Sequence, residues 1–345
     1  MKTGSPFGTH RVLEPKGVLP QPAWKIDNTM SIYDNEILID VDALNIDAAS
    51  FTQIKKEAGG DLAKIEATIL GIVEQRGKHH NPVTGSGGML IGRIAQVGPA
   101  LAGKTDLQVG DKIATLVSLS LTPLKIHKIK KIHVDKDQVE IEGQAILFET
   151  GLYAKLPDDI PEKVALAILD VAGAPAQTAR LVRPGDTVVV IGGGGKSGTL
   201  CVYEARKRAG PAGCVIGLSP FEKDCQRMKE LGWVDHALKV DATDAVATME
   251  AIAAVTKGRM ADVVINCVNI QNTEMGSILA TRDLGKIYFF SMATSFTAAA
   301  LGAEGVGKDV EMIVGNGYAR DHAIYSLALL RESPKLRELF ETLYV

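Results

Sequence analysis

The most constraining feature of this 345-residue chain is an apolar, β-branched run that leads directly into a glycine-rich turn. Residues 187–191 read TVVVI, residues 192–198 read GGGGKSG, and residues 199–209 are compatible with a helix. A run without polar alternation is typical of a strand buried on both faces, as in a parallel sheet. The segment therefore predicts a strand, a tight turn and a helix in succession.

Within this turn, Gly193, Gly195 and Gly198 match the pattern G-x-G-x-x-G. The first glycine permits the tight turn, the second lets the backbone approach a pyrophosphate, and the third allows close packing of helix on strand. The pyrophosphate then lies at the positive end of the helix. The predicted dinucleotide contacts in this segment are Gly193, Gly194, Gly195, Lys196, Ser197 and Gly198.

The same turn partly resembles a phosphate-binding loop of nucleotidases, G-x-x-x-x-G-K-[ST]. That pattern needs a glycine five residues before Gly195, and Val190 occupies this position. The alternative fails where its turn requires glycine, whereas the dinucleotide pattern is complete.

Composition excludes several classes of function. The net charge of −3 argues against a nucleic-acid surface, and no run of about 18 apolar residues suggests a membrane span. The N-terminal residues lack the apolar core of a signal peptide. Cys201, Cys214, Cys225 and Cys267 show no zinc-ribbon spacing, so we expect free thiols in a cytoplasmic protein.

The order of predicted elements changes along the chain. Residues 1–155 are rich in β-type patterns, whereas apolar runs and helical patterns alternate over residues 156–315, and residues 316–345 are helical. Regular alternation predicts a doubly wound parallel sheet. We therefore expect an α/β protein with a β-rich substrate domain, a Rossmann-type domain and a C-terminal helical segment that could return to the first domain.

Four segments together resemble the medium-chain dehydrogenase/reductase superfamily: residues 87–98 (GGMLIGRIAQVG), 109–111 (VGD), 192–198 and 262–268 (DVVINCV). The resemblance implies a GroES-like catalytic domain and a nicotinamide cofactor, NADP or NAD. Zinc-containing members carry Gly-His-Glu where this chain has Gly87, Gly88 and Met89, and their early cysteine ligand has no counterpart near Asn45. A zinc site needs three or four such ligands, so we predict no zinc.

Three further segments resemble zinc-free amine dehydrogenases of lysine fermentation: residues 8–12 (GTHRV), 78–88 (KHHNPVTGSGG) and 170–178 (DVAGAPAQT). This resemblance implies a diamino acid substrate whose 3-amino group is oxidised, with release of ammonia. A zinc-free quinone or enone reductase of the same superfamily and a non-catalytic NADPH-binding protein are the alternatives, because a fold does not establish an activity.

Oxidative deamination requires a base, and the candidates are Asp47, Glu74 and His79. Asp47 could instead begin a helix, Glu74 could be a surface acid, and His79 could be solvated in a polar loop. Asn45, Arg76, Lys78 and His80 are the candidates for substrate binding. Arginine or lysine would pair with the substrate carboxylate, although a solvated basic loop is the alternative.

Cofactor choice depends on the tip of the strand predicted at residues 214–218. An acid at this tip would bind the ribose 2′-hydroxyl of NAD, and Ser219 follows instead. Ser219, Lys223 and Arg227 are the candidate ligands of the 2′-phosphate, so we expect NADP rather than NAD. Lys223 and Arg227 could instead be surface residues, and the nearby Asp224 weakens the case for NADP. Predicted contacts near the nicotinamide are Cys267, Asn269, Ser291 and Met292, and a homodimer is expected.

Overall fold

The computed structural model describes residues 2–315 and 317–344, in two compact units that divide after Asp159. Residues 316 and 345, the bounds of the predicted C-terminal segment, lie outside the described residues. Among the described residues, no helix combines the length and the apolar character that a membrane span requires.

The first unit is an antiparallel β structure with two helices. Its sheet has the strand order β6-β7-β3-β4-β5-β8, and β1 pairs with β2 separately. The elements are β1 (Val12–Glu14), β2 (Lys25–Ile26), β3 (Glu36–Ile46), α1 (Ala48–Glu57), α2 (Leu62–Arg76), β4 (Gly88–Val97), β5 (Lys112–Thr115), β6 (Leu124–His133), β7 (Gln138–Phe148) and β8 (Tyr153–Lys155).

Local sequence explains why α2 begins and ends where it does. The Asp61 carboxylate accepts the amide hydrogen of Ala63 at 2.9 Å, which satisfies a free N–H at the start of the helix. Gly77 ends α2 in the left-handed region, with φ of 71°. A Cβ there would lie 2.1 Å from the carbonyl oxygen of Ile26, so only glycine fits. The loop that carries Lys78, His79 and His80 therefore begins at a defined point.

The N-terminal segment of the first unit is held by a buried ion pair. Arg11 donates through Nε and one terminal nitrogen to both oxygens of Glu36, each at 2.7 Å, and also to the carbonyl oxygens of Thr29 and Ser31. His10 donates to the same carboxylate at 2.8 Å. Burial alone would raise the pKa of Glu36, but hydrogen bonds from Arg11 and the Tyr33 amide hold it below its usual value. The GTHRV segment thus has a structural role.

The second unit contains one parallel sheet with helices. Its strand order is β11-β10-β9-β12-β13-β14, which is the Rossmann order with its switch point between β9 and β12. The elements are α3 (Glu162–Leu169), α4 (Gly173–Leu181), β9 (Thr187–Ile191), α5 (Lys196–Ala209), β10 (Cys214–Ser219), α6 (Glu222–Leu231), β11 (His236–Lys239), α7 (Ala245–Thr256), β12 (Ala261–Asn266), α8 (Glu274–Ala280), β13 (Thr281–Phe289), α9 (Phe296–Gly305), β14 (Val310–Val314), α10 (His322–Glu332) and α11 (Pro334–Tyr344).

The C-terminal helices are held against the rest of the second unit by a polar network around Glu204 on α5. This fully buried carboxylate accepts the Tyr325 hydroxyl at 2.5 Å and Arg208 Nε at 2.7 Å. Lys335 on α11 donates to the carbonyl oxygens of Glu230 and Leu231 at the end of α6. A cation at a helix C-terminus satisfies free carbonyls and complements the helix dipole. These contacts place α10 and α11 beside α5 and α6.

Candidate functional site

The glycine-rich turn joins β9 to α5 as the sequence predicts, but Gly192 makes the tight turn rather than Gly193. Gly192 has a φ of 82°, whereas Gly195 has an extended conformation with φ of −78° and begins α5 without a side-chain cap. The Gly195 amide donates to the Gly192 carbonyl at 2.9 Å, which closes the turn. The first amide hydrogens of an α-helix have no partner within the helix, so the start of α5 is where an anion would bind.

Close contacts explain why this turn needs glycine at several positions. A Cβ at Gly198 would lie 1.9 Å from the Gly192 carbonyl oxygen, and one at Gly193 would lie 2.7 Å from the Met228 sulfur. Gly195 differs, because its nearest obstacle is the Gly192 oxygen at 3.4 Å. The outer side of the turn is thus open at Gly195, which leaves room for a pyrophosphate against the backbone.

An acid does reach the tip of β10, although the sequence analysis found none at the end of that strand. Asp224, in the first turn of α6, accepts the Ser219 hydroxyl at 2.8 Å and Arg227 at 3.0 Å. A Cβ at Gly194 would lie 2.4 Å from the Asp224 side chain. The helix brings the carboxylate back against the glycine turn, so strand-end sequence alone could not reveal it.

Two of the other predicted ligands of the dinucleotide phosphates, Lys196 and Arg227, already bind groups of the protein. Lys196 Nζ lies 2.5 Å from Asp170 Oδ2, and the Arg227 guanidinium also donates to the Gly194 carbonyl. Ser197 is buried at the start of α5. Lys223 is exposed and lies 5.9 Å from the Phe221 ring centroid. The Arg227 guanidinium thus reaches the glycine turn from α6.

The predicted nicotinamide contacts follow the carboxyl ends of β12 and β13. Cys267 is half-buried, and its sulfur lies 3.8 Å from that of the buried Cys201. Ser291 is buried and accepts the Ala293 amide hydrogen, whereas Asn269 and Met292 are exposed. In open α/β sheets, ligands bind outside these strand ends. These positions lie where a ligand of such a sheet would bind.

In the first unit, Asp47 lies at the carboxyl end of β3 and begins α1. Its side chain does not cap its own helix; Oδ2 accepts the amide hydrogen of Gly87 at 3.1 Å. The residue is exposed. Neighbouring Asn45 accepts a hydrogen bond from Gln138 at 2.8 Å, and Glu74 is exposed on α2. Asp47 is therefore an oriented carboxylate that solvent can reach.

Sequence reasoning missed a cluster of three hydroxyls next to Asp47. The Ser50 oxygen lies 2.6 Å from both the Thr84 and the Ser86 hydroxyl oxygens. The loop that carries Thr84 is fixed by Asn81, whose carboxamide accepts the Val83 amide hydrogen at 2.8 Å. Adjacent hydroxyls can relay a proton because each both donates and accepts. The serine and threonine content of residues 78–88 was the available signal.

The predicted substrate-binding residues Arg76, Lys78 and His80 form a cluster with His79. Arg76 donates to the Trp24 carbonyl at 3.1 Å, stacks on the Trp24 ring and contacts His80. Lys78 is fully buried and donates to the carbonyls of Pro20 and Gln21 at 2.6 and 2.9 Å. Both cations are buried, so the alternative of a solvated basic loop is wrong.

Burial changes the protonation of this cluster. It lowers the pKa of Lys78 to about 7, with a further contribution from the Arg76 charge. It lowers the pKa of His79 to about 4 and, helped by the charges of Lys78 and Arg76, that of His80 to about 4. The backbone near Gly87 and His79 raises the pKa of the fully buried His79 by less than burial lowers it, and neither ring nitrogen forms a well-aligned hydrogen bond among the described residues. His79 is therefore neutral and shielded at neutral pH.

The buried ammonium of Lys78 predicts a pH-dependent stability. The unfolded chain releases this proton near pH 10.5 and the folded protein near pH 7, so between these values the unfolded state binds more protons and stability rises with pH. We expect wild type to gain about 1 kcal/mol per pH unit relative to Lys78→Met between pH 7 and 9. Urea unfolding at each pH measures this difference.

The matched control is Lys64→Met, because Lys64 is an exposed lysine on α2. Its unfolding free energy should run parallel to that of wild type over the same pH range. Parallel behaviour of Lys78→Met and wild type would show that Lys78 keeps an ordinary pKa in the folded protein.

No group of three or more histidine, cysteine, aspartate or glutamate residues in residues 2–315 and 317–344 is arranged to hold a metal ion.

Comparisons with known proteins assign the chain to a family. Residues 10–157 match the family model described as the L-erythro-3,5-diaminohexanoate dehydrogenase N-terminal domain. A protein of that name from Acetoanaerobium sticklandii is 61% identical over 342 residues, covering 99% of each chain. The chain belongs to the L-erythro-3,5-diaminohexanoate dehydrogenase family. A second relative of that name, from Fusobacterium nucleatum subsp. nucleatum, is 58% identical over the full length of both chains.

Solved structures confirm the fold of this member of the L-erythro-3,5-diaminohexanoate dehydrogenase family. A mycobacterial protein solved in complex with NADPH matches with a TM-score of 0.55 at 16% identity, over 89% of this chain and 83% of that one. A 2-haloacrylate reductase matches with a TM-score of 0.52 at 17% identity, over 89% and 81%. The predicted α/β architecture with Rossmann and GroES-like parts is confirmed, and the chain is an oxidoreductase.

Proposed function

We propose that the protein oxidises L-erythro-3,5-diaminohexanoate to 5-amino-3-oxohexanoate and ammonia in lysine fermentation. The supporting observation is the full-length identity of 58–61% to two proteins that bear this dehydrogenase name. In the balanced reaction, the carbon that bears the ammonium group is oxidised to a ketone, and one water and one oxidised cofactor are consumed. The other products are an ammonium ion, the reduced cofactor and one proton. When bound, the nicotinamide accepts the hydride from the carbon that carries the amine.

We assign substrate chemistry to the first unit and cofactor binding to the second. The turn at residues 192–198 fits a dinucleotide because its outer side is open at Gly195 and the first amides of α5 are free of side-chain caps. The oriented carboxylates, hydroxyls and cations lie in the first unit.

Within the first unit, Asp47 is the base we favour among the three candidates. Its second oxygen is free to take a proton from the substrate ammonium and later from the water that adds to the iminium. The Ser50, Thr84 and Ser86 hydroxyls bond one another, and Ser86 precedes the Gly87 amide that Asp47 accepts, so they would relay protons near this base. His79 is sealed from solvent and Glu74 lies on the outer face of α2, so neither combines exposure with orientation.

We propose that Arg76 and Lys78 attract the substrate carboxylate without touching it. Both side chains bind backbone carbonyls, and neither forms an ion pair with a carboxylate among the described residues. Uncompensated buried charge is costly, and an anion nearby would reduce that cost. The half-buried His80, which contacts Arg76, is the member of the cluster that a substrate could reach.

For the cofactor, the position of Asp224 favours NAD over the NADP that the sequence suggests. A carboxylate at the tip of the second strand accepts hydrogen bonds from the ribose hydroxyls and repels a 2′-phosphate. Asp224 lies against Gly194 in this position, and Ser219 is bonded to it rather than free for phosphate. Arg227 partly offsets the charge of Asp224 and would be the phosphate ligand if NADP were used.

Neutralising Asp224 should therefore change cofactor preference. We expect Asp224→Ser to raise the ratio of kcat/KM with NADP to kcat/KM with NAD by roughly tenfold, about 1.4 kcal/mol, because the repulsion of the 2′-phosphate is removed. Glu222→Ser is the matched control, since Glu222 is exposed on the same helix turn. An unchanged ratio in Asp224→Ser would mean that this carboxylate does not face the ribose.

The activity itself is tested by following reduced nicotinamide absorbance with purified, chelator-treated protein. Reduction of NAD or NADP by 3,5-diaminohexanoate, with one ammonia released per turnover, is the expected result. Oxidation of NADPH by quinones or enones without any amine activity would support the reductase alternative. Cofactor binding without turnover on any of these substrates would support the non-catalytic alternative.

We also propose a cytoplasmic homodimer. Strand β14 is one edge of the parallel sheet, and its outer backbone groups have no partner strand among the described residues. An unpaired edge can join the same edge of a second copy about a twofold axis. Sedimentation equilibrium should give twice the mass of the chain.

A further inference from the structure

A cavity of about 210 Å³ lies between the glycine turn and the last helix of the second unit. One side is formed by Gly194, Gly195, Lys196, Thr199 and Arg227, and the other by two apolar side chains of α11, Phe340 and Leu343. A cavity of this size holds part of a dinucleotide rather than a whole one, because complete sites for such ligands are several times larger.

The residues that line the cavity indicate which part it would hold. Gly195 and Lys196 start α5, where the pyrophosphate is expected, and Arg227 belongs to the helix after the second strand. The tip of the second strand marks the adenosine side of a dinucleotide in this fold. The cavity therefore lies beside the pyrophosphate on its adenosine side. The nicotinamide contacts are predicted elsewhere, at the carboxyl ends of β12 and β13, where Cys267 lies.

Helix α11 is held firmly where it meets this cavity. Phe340 is buried with 1% of its surface exposed, whereas Leu343 is 48% exposed and faces the cavity with space around it. Lys335 bonds the end of α6, and the Tyr325–Glu204 contact fixes the preceding helix on α5. Because α11 is tied directly to α6 and follows α10, which is tied to α5, its apolar residues form a fixed wall.

We propose that α11 forms the outer wall of the adenosine end of the dinucleotide site, with Leu343 and Phe340 packing against the bound ribose and its phosphate. The inference rests on the proposed function and adds to it a segment that the glycine pattern does not predict. The C-terminal helix would then contribute to cofactor affinity and not to the reaction at the nicotinamide.

The test uses the full-length protein with Leu343→Asp, which places a carboxylate in the cavity near the phosphates. We expect the dissociation constants of NADH, measured by fluorescence, and of ADP-ribose, measured by calorimetry, both to rise about tenfold. Ile324→Asp is the control, since Ile324 is an exposed apolar residue on α10 outside the cavity lining, and it should bind both ligands as wild type does. Turnover at saturating cofactor should be unchanged in Ile324→Asp.

Leu343→Ala provides a second variant in case the new charge disturbs folding, and thermal melting shows whether it does. It should weaken both ligands about threefold through lost apolar contact. Wild-type affinity for ADP-ribose in folded Leu343 variants would overturn the role of α11. Failure of wild type to bind NADH, NADPH and ADP-ribose would instead overturn the proposed function, so the two failures are distinguishable.

Discussion

Gly195→Asp is expected to weaken NADH binding by at least about 100-fold while the protein stays folded. The new Cβ is tolerated, because its nearest obstacle is 3.4 Å away and the backbone at this position is in an ordinary extended conformation. Aspartate is also a favourable residue at the start of a helix. Its carboxylate would occupy the place of the pyrophosphate and compete for the same amide hydrogens.

The matched control is Gly195→Ala, which adds the Cβ without the charge and should keep an affinity within a few-fold of wild type. Fluorescence titration with NADH measures both variants, and thermal melting confirms that Gly195→Asp is at least as stable as wild type. Wild-type affinity in Gly195→Asp would show that the dinucleotide does not bind at this turn.

Asp47→Asn is expected to lower kcat for 3,5-diaminohexanoate by about 100-fold or more, the usual contribution of a general base. The asparagine carbonyl oxygen can still accept the Gly87 amide hydrogen, so the loop should keep its position. The KM for the cofactor should not change, because the substitution lies in the first unit. Steady-state kinetics with both substrates measure the effect.

Glu74→Gln is the control for Asp47→Asn, since it also neutralises an exposed carboxylate of the first unit. It should leave kcat within about twofold of wild type. If the two variants lost activity equally, or if Asp47→Asn were fully active, the base would have to be sought elsewhere in the unit.

The fold was largely predictable because its signals are local. The alternation of apolar runs and helical patterns over residues 156–315 predicts a parallel sheet, and the second unit contains one, with β9 and β10 at the predicted places. The long hairpin of β6 and β7 was harder to recognise, because β6 carries lysines at the sheet edge and lacks clean alternation. Edge strands often carry lysine, which weakens the strand signal.

The candidate site was less predictable because its key contacts join distant segments. Asp224 reaches Ser219 and the glycine turn from the first turn of a helix, and Lys78 is buried by carbonyls that lie nearly 60 residues earlier in the chain. Leu343 lines the same cavity as the glycine turn, although it is far from the turn along the chain. Spacing and composition describe neighbours along the chain, so none of these contacts has a local signature.

The cations that hold the N-terminal segment bind its main chain. Arg11 takes the carbonyl oxygens of Thr29 and Ser31, Lys78 takes those of Pro20 and Gln21, and Arg76 takes that of Trp24. Every amino acid offers the same carbonyl oxygen, so these hydrogen bonds depend on the path and the length of the segment rather than on its side chains. The stacking of Arg76 on the Trp24 ring adds one contact that does depend on a side chain. Substitutions in this stretch are therefore compatible with an unchanged structure, whereas the insertion or deletion of a residue is not.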